Sequence, residues 1–244
     1  MRSFVPAVAS STTALVAIAL VACSPPAPPA EKQAADSAAA TVRIEAPAGR
    51  YALDPNHSSL SFTVNHVGLS NYVARFTKYE VTLELDPQNL ADSSIVATID
   101  PTSIRTDYSA DYRALHPDSK FQTWDEDLAQ SDKFFNAGQH PQIEFRSTRV
   151  EQTGPGSLRI VGDLALRGQT HPVTLQATLV GSSSTHPLYG GGGAIGFSAQ
   201  GEFERSAFGM DHLLKPLLVG DTVGIEFEGE FRQAVPQAAT PASR

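Results

Sequence analysis

The stretch "YALDPNHSSLSFTVNHVGLS", Tyr51 to Ser70, decides the fold because polar and apolar residues alternate through its second half. In an extended strand successive side chains point to opposite faces, so every second residue shares a face. The apolar face collects the even positions Leu60, Phe62, Val64 and His66. This pattern predicts a half-buried β-strand that carries one histidine on its apolar face.

The same stretch contains a second histidine, His57, nine positions before His66. On a regular strand this odd separation places the two on opposite faces, about 30 Å apart, and a β-bulge would change the parity but not the distance. The two histidines therefore do not predict a shared metal, and no HxH, HExxH or CxxC spacing occurs elsewhere. We expect His57 to hold local structure in the turn that enters the strand. His66 is either a satisfied core residue or a polar group at the mouth of an apolar cavity.

Alternation recurs through residues 49–232 and is typical of an all-β domain. The further alternating segments are "YEVTLELD", "SIVATID", "QIEFRSTRV", "SLRIVGDLALRG", "HPVTLQATLVG", "GFSAQGEFER" and "TVGIEFEGEFR". Short turns such as Gly154–Gly156 separate them, which favours antiparallel neighbours. We predict an up-and-down antiparallel β-barrel of about eight strands that either fills itself or encloses a ligand. A β-sandwich remains the alternative.

One segment, Thr106 to Phe135, breaks the alternation. Thr123 and Glu126 have the spacing of a capping box before "DEDLAQ", and acidic residues suit a helix N-terminus. The acidic run lacks the glycine and the terminal glutamate of an EF-hand loop. We therefore predict a short helical insertion that covers one mouth or side of the barrel.

The chain of 244 residues carries a net charge of −8, which disfavours nucleic acid as a partner. Its only cysteine, Cys23, follows the apolar run Ala14–Ala22, which is too short to cross a bilayer and predicts a secretory signal over residues 1–22. The residues "LVAC" resemble a bacterial lipobox, and this resemblance implies cleavage before Cys23 and acylation of that cysteine. The alternative is an ordinary secretory signal. In both cases the mature chain leaves the cytoplasm.

Composition divides the rest of the chain into a domain and two flanking segments. Residues 23–48 are rich in proline and alanine and predict a disordered tether that begins with the acylated cysteine. Residues 233–244 predict a disordered tail in the same way. Residues 49–232 then form one β-barrel domain, large enough to be stable without a disulfide bond.

No catalytic or phosphate-binding motif stands out in the sequence. The serine of "GFSAQG", Gly196 to Gly201, lacks the GxSxG spacing of a nucleophile elbow. The run "GGGG", Gly190 to Gly193, has no following GK[ST] and no helix to hold a phosphate. We predict a protein that is not an enzyme and that requires neither a metal nor a cofactor.

Several stretches, in order, resemble the YceI-like family of periplasmic lipid-binding proteins. They include "YALDPNHSSLSFTVNHVGLS", "SDKFFNAGQHPQIEFRST", "GDLALRGQTHPVTL", "ERSAFGM" and "VGDTVGIEFEGEF". The resemblance covers roughly residues 50–232 and implies an extended lipocalin-like barrel with a long channel. It also implies a ligand such as a polyisoprenoid or a quinone-type lipid, and no catalysis.

With the resemblance, we predict lumen-lining residues and head-group contacts. The predicted lining residues are Phe62, Val64, His66, Phe76, Phe145, Leu164, Phe197 and Phe208. His66 and Arg205 are predicted to meet a polar head group, although Arg205 has the alternative of a structural ion pair.

The predicted function is the binding or carrying of a long isoprenoid or acyl lipid by an envelope lipoprotein. The lipoprotein would face the periplasm and be anchored in the outer membrane, because Ser24 rather than aspartate follows the cysteine, with an inner-membrane anchor as the alternative. A homodimer is compatible with the sequence. Two alternatives stay open at this point: an enzyme acting on a lipid in the same pocket, and a structural or stress-response scaffold with a filled barrel.

Overall fold

The computed structural model describes residues 43–214 and 218–234. The predicted signal, Cys23, most of the tether and most of the tail lie outside these residues. The strands are β1 (Gly49–His66), β2 (Ser70–Phe76), β3 (Tyr79–Leu85), β4 (Ser94–Ile99), β5 (Ile104–Arg105), β6 (Ile143–Gly154), β7 (Ser157–Leu166), β8 (Gln169–Ser183), β9 (Ala194–Glu204) and β10 (Val219–Gln233). Two short α-helices, α1 (Tyr112–Leu115) and α2 (Trp124–Gln130), and three single-turn 3₁₀ segments complete the described fold.

Eight of the strands close into an antiparallel barrel, because β10 pairs with β1 as well as with β9. The ring runs through β1, β3, β4, β6, β7, β8, β9 and β10, and all its pairs are antiparallel. The predicted eight-stranded barrel is confirmed, and the β-sandwich alternative is wrong. The two remaining strands extend the sheet at one end, with β2 on β1 and β5 on β2. We call the end of the barrel near His66 the mouth and the end near Tyr51 the base.

A large β-bulge divides β1 into two halves. Leu53 pairs with Phe231 and Ser58 pairs with Gly229, so four residues of β1 oppose only one residue of β10. Three extra residues are an odd number, so the bulge exchanges the two faces of the strand. Before it the odd positions face the barrel interior, and after it the even positions do. The prediction that His57 lies in a turn is therefore wrong, since His57 belongs to the bulge within a continuous strand.

The buried carboxylate of Asp54 holds this bulge. One of its oxygens accepts a hydrogen bond from the backbone N–H of Asn56 at 3.0 Å, and the other lies 2.9 Å from Nδ1 of His57 and also accepts from the Arg232 guanidinium. The Asp54 side chain is only 2 % exposed. Burial alone would raise the pKa of Asp54, but the hydrogen bonds from His57, Asn56 and Arg232 lower it to about 2.

Gly229 gives the bulge the space it needs on β10. A Cβ atom at this position would lie 2.5 Å from the ring of Phe227 and 2.8 Å from the side chain of Leu53. Both distances are shorter than van der Waals contact, so a side chain at residue 229 would displace the interior packing. The glycine therefore allows the apolar side chains at the bulge to approach the β10 backbone.

The base of the barrel is closed by residues from both ends of the described chain. Ala46 is 1 % exposed, and the fully buried Tyr51 donates its hydroxyl to the carbonyl of Pro47 at 2.6 Å. At the other terminus Gln233 accepts from the backbone N–H of Gly193 at 3.0 Å and donates to the carbonyl of Ala48. Packing thus begins before residue 49 and includes residue 233, slightly beyond the predicted domain limits on both sides.

The segment from Thr106 to Phe135 forms the predicted helical insertion. The Thr123 hydroxyl accepts from the N–H of Glu126 at 3.0 Å, as predicted, whereas the Glu126 carboxylate accepts from Gln122 rather than from the N-cap residue itself. Asp125 fixes the insertion to the end of β5 by accepting from both the N–H and the hydroxyl of Thr106. Within the described ranges, neither helix has the length and apolarity needed to span a bilayer.

Replacing Asp54 by asparagine tests the role of the bulge. Because its folded-state pKa lies below the ordinary value of about 3.9, Asp54 stabilises the fold above that value. We expect D54N to lower the free energy of unfolding by about 2 kcal/mol at neutral pH. The difference from the parent should shrink as the pH falls from about 4 toward 2, where the native carboxylate is protonated too. Urea unfolding at a series of pH values measures both effects.

The matched control is Glu230→Gln. A carboxylate oxygen of Glu230 also lies near His57, 3.9 Å from Nδ1, but the Glu230 side chain is 54 % exposed. We expect a change below about 0.5 kcal/mol, as for other exposed ion pairs. Equal effects of the two substitutions would show that the Asp54 carboxylate does not hold the bulge.

Candidate functional site

The barrel encloses an apolar cavity of about 840 Å³. This volume is typical of pockets that bind a small-molecule or lipid ligand. The cavity extends from Leu83, Leu85 and Phe231 near the base to His66, Tyr72 and Tyr108 at the mouth. Every strand except β5 contributes to its lining, together with the insertion. The interior is therefore continuous over the barrel rather than filled by side chains.

Two inward-facing glycines help to keep this space open. A Cβ atom on Gly162 would lie 2.4 Å from the ring of Phe145, and one on Gly201 would lie 2.5 Å from the side chain of Leu175. Gly162 lies on β7 and Gly201 lies on β9, each at a position where the alternation points side chains inward. Because these glycines have no side chain, Phe145 and Leu175 can pack closely against the backbones of β7 and β9.

The lining contains few polar groups and no Asp, Glu or Lys among the described residues. Its ionisable side chains are two histidines, three tyrosines and one arginine, namely His66, His116, Tyr72, Tyr79, Tyr108 and Arg205. Most of them cluster near the mouth, and the remainder of the surface is aliphatic or aromatic. The site therefore suits a ligand that is apolar along most of its length.

Most of the residues predicted from the sequence lie along this cavity. The lining includes Phe62, Val64, His66, Phe76, Phe145, Leu164, Phe197 and Arg205. Phe208 is placed elsewhere: it is 2 % exposed and packs edge-on against Phe203 and His171, with ring centroids 5.3 and 5.0 Å apart. It belongs to a 3₁₀ turn after β9, where the alternation that predicted its direction no longer applies.

His66 lies on the lining at the mouth, with its residue exposed to solvent. Its position at the last residue of β1 places it where the apolar interior meets water. His57 lies exposed at the bulge, beside the buried Asp54 and the exposed Glu230. These three residues offer no free metal site, since the Arg232 guanidinium already donates a hydrogen bond to the carboxylate of Asp54.

The insertion adds an aromatic cover that the sequence did not predict as part of the site. Phe135 contacts Phe62 and Phe76 edge-on, with ring centroids 6.0 and 5.5 Å away. Nearer the mouth, Tyr108 contacts Tyr72, with ring centroids 4.8 Å apart. Burial raises the pKa of Tyr72, so this phenol remains neutral. The aromatic residues of "SDKFFNAG" and "TDYSAD" were visible in the sequence, but irregular segments give no periodicity from which to infer direction.

Arg205 is a structural residue of the mouth. Its Nε donates to the carbonyl of Gly220 at 2.7 Å, and its two terminal nitrogens donate to the carbonyls of Val219 and Met210. The residue is 5 % exposed, and burial lowers the pKa of its guanidinium, partly offset by Asp221 and Asp211. These contacts join the turn after β9 to the start of β10. The alternative expected from the sequence was a structural ion pair, whereas the observed partners are backbone carbonyls.

Comparison with known proteins supports one family. The model of the YceI-like domain matches residues 51–231. A UPF0312 protein of Vibrio cholerae serotype O1 is 32 % identical over 176 residues, which cover 71 % of this chain and 84 % of the relative. Protein YceI of Escherichia coli O157:H7 is 32 % identical over 160 residues, covering 66 % and 74 % of the two chains.

Solved structures show the same fold at lower identity. BcnA of Burkholderia cenocepacia aligns with a TM-score of 0.59 and 21 % identity over 73 % of this chain and 98 % of its own. The YceI protein of Campylobacter jejuni aligns with a TM-score of 0.56 and 23 % identity, covering 70 % and 90 %. A polyisoprenoid binding domain from Saccharophagus degradans aligns with a TM-score of 0.51 and 13 % identity, covering 75 % and 98 %.

Replacing Arg205 by lysine tests its structural role at the mouth. Lysine keeps the charge but cannot reproduce a planar fork that reaches three carbonyls. We expect R205K to lower the free energy of unfolding by about 2 kcal/mol, since buried acceptors lose their donors. Urea unfolding of the ligand-free protein measures this change. The control is Arg167→Lys, because Arg167 also donates to two carbonyls but is only partly buried, and its effect should stay below about 1 kcal/mol. An R205K protein as stable as the parent would contradict the structural role.

Proposed function

Since this chain belongs to the YceI-like family, we propose that its barrel binds the chain of a long isoprenoid or acyl lipid in the cavity. The observation that carries the proposal is the continuous apolar cavity of about 840 Å³. A polyisoprenoid binding domain shares the fold, which makes polyisoprenoids the first ligands to test. Quinone-type lipids combine a similar chain with a polar head and are the second choice.

Burial of the lipid chain supplies the binding energy in this proposal. Each methylene removed from water contributes about 0.8 kcal/mol, so ten buried carbons offer roughly 8 kcal/mol before the costs of association. The head group would lie at the mouth, where His66 and Tyr108 combine exposure with polar atoms. We keep His66 as the predicted head-group contact. Arg205 is less available to contact a head group, because its guanidinium already donates to three backbone carbonyls.

The lining favours binding over catalysis. General acid–base chemistry on a lipid would need a positioned acid or base, and a histidine base is usually oriented by a second group. Among the described lining residues there is no carboxylate to orient His66, and the serines of the lining are not hydrogen-bonded to it. We therefore propose a carrier or reservoir rather than an enzyme.

The open interior also argues against a purely structural barrel. A scaffold with no ligand would gain stability by filling its interior, because protein cores normally pack as densely as organic crystals. The inward-facing glycines of β7 and β9 instead leave room for Phe145 and Leu175 beside the strands, and the cavity remains open between the lining residues. We expect a bound lipid to restore part of the stability that this space costs.

A bulky residue in the middle of the cavity tests the proposed function. Ala177 is 3 % exposed and faces the lumen from β8. We expect Ala177→Trp to reduce lipid uptake at least tenfold, because the indole fills the space that the lipid chain needs. The parent expressed in a bacterial envelope should co-purify with a prenyl or acyl lipid that mass spectrometry of organic extracts detects.

The adjacent position provides the matched control. Thr178 is exposed on the outer face of the same strand, so Thr178→Trp adds the same side chain outside the lumen. Its lipid content should equal that of the parent. A parent barrel that neither co-purifies with lipid nor takes up any prenyl or acyl lipid would refute the proposed function.

We further propose that the protein is a lipoprotein of the bacterial envelope, with its barrel in the periplasm and its anchor in the outer membrane. The support is the apolar run before Cys23 and the lipobox-like "LVAC", both outside the described residues. Metabolic labelling with a fatty acid should mark the parent but not Cys23→Ser. Labelling of both proteins, or of neither, would refute acylation at Cys23.

A further inference from the structure

Exposed apolar residues border one side of the mouth of the cavity, next to β10, β1 and β2. Ten large hydrophobic residues are exposed among the described ones, and five of them form what we call the rim: Val67, Leu69, Tyr108, Leu213 and Leu218. Each rim residue either lines the cavity or is the sequence neighbour of a lining residue. The rim is therefore continuous with the apolar interior, and Leu69 at 87 % exposure is its most solvent-accessible member.

The turn between β1 and β2 exposes two rim residues, Val67 and Leu69, and holds Val67 in an unfavourable backbone conformation. Leu69 donates its N–H to the carbonyl of His66 at 3.0 Å, and the two central residues, Val67 and Gly68, have φ values of +49° and +73°. Turns with positive φ at both positions favour Asn-Gly, whereas a β-branched residue at positive φ is an outlier. Val67 thus places an apolar side chain in solvent at a conformational cost.

The loop that precedes β10 lies beside this turn and also holds an exposed apolar residue at a positive φ. Leu213 also has a positive φ, +63°, and is 37 % exposed at the edge of the cavity. The carbonyl of Leu218 accepts from the N–H of Val67 at 2.8 Å, which joins the two loops directly. Two neighbouring loops therefore keep large apolar side chains at backbone positions where Asn or Gly would be less strained.

We propose that the rim docks on the surface of a lipid bilayer, so that the lipid passes between membrane and cavity without crossing water. The turn from Asn65 to Asn71 contains no Asp, Glu, Lys or Arg, so it can enter the interfacial region without burying a full charge. A bilayer suits this surface better than a protein partner because the apolar residues border the opening of the cavity. A bound protein would block that opening.

Docking of the rim rests on the proposed function and adds the membrane to it as a partner. The ligand chain is almost insoluble in water, so an apolar mouth that contacts the membrane shortens its exposure. Strained apolar residues at the contact are consistent with functional sites, where strain is retained because it serves a purpose.

Vesicle flotation tests the docking surface. The chain from residue 43 onward contains the closed barrel and all its core clusters, and it lacks Cys23, so acylation does not enter the comparison. We expect this protein to float with phosphatidylcholine vesicles and the double variant Val67→Asn/Leu69→Asn to partition at least tenfold less. The same variant should have a higher melting temperature, because Asn-Gly fits the turn.

The control removes an exposed valine and an exposed leucine from the other end of the barrel. Val180 and Leu188 are 70 % and 79 % exposed, on β8 and the loop that follows it toward the base. Val180→Asn/Leu188→Asn should float like the parent. Equal flotation of the parent and the rim variant, or no flotation of the parent, would overturn the proposal.

Two further readouts separate docking from its alternatives. Uptake of N-phenyl-1-naphthylamine added without vesicles reports on the cavity alone and should be equal in all three proteins. A rim variant with normal uptake and normal flotation refutes docking but not lipid binding, whereas a parent without uptake refutes the proposed function. If the rim instead joins two barrels, light scattering will show a dimer that only the rim variant loses, and this result would also overturn membrane docking.

Discussion

The hydrogen-bonded bulge at Asp54 determines which residues of β1 face the interior. A strand that pairs with β3 at the base and with β2 at the mouth must change partner on one side while it remains paired with β10 on the other. The three extra residues exchange the faces at this change of partner. Without the exchange, either Tyr51 and Leu53 or Phe62 and Val64 would face solvent, and that half of β1 would turn its polar residues toward the interior.

The open cavity lowers the stability of the barrel. Empty apolar space costs stability because lining atoms lose their packing partners. The structure limits this cost with well-packed ends: Tyr51 and Ala46 seal the base, and aromatic residues of the insertion cover one side near the mouth. What remains open is a continuous apolar interior of the kind that a long lipid chain can fill.

The barrel and most of its lining could be predicted because alternation has an exact period in a strand. Once β1 is assigned, Phe62, Val64 and His66 must share a face, and the structure places all three on the cavity. The bulge could not be predicted, since the sequence "DPNHS" does not reveal how many residues of β10 it opposes. Phe208 was misplaced for a related reason, because it lies in a 3₁₀ turn where the period of two no longer holds. The contribution of the insertion was also missed, since side-chain directions in irregular segments depend on tertiary contacts.

The two strands outside the ring have a consequence for aggregation. Ring closure gives each of the eight ring strands a partner on both sides over at least part of its length, and the sheet ends outside the ring at β2 and the two-residue β5. On this edge Arg75 forms an ion pair with Asp107, and Arg105 lies directly opposite Arg75 in the strand pairing. Short and charged edges oppose the addition of further strands from other molecules. An empty barrel with an apolar lumen would therefore offer neighbouring molecules only a short, charged sheet end on which to assemble.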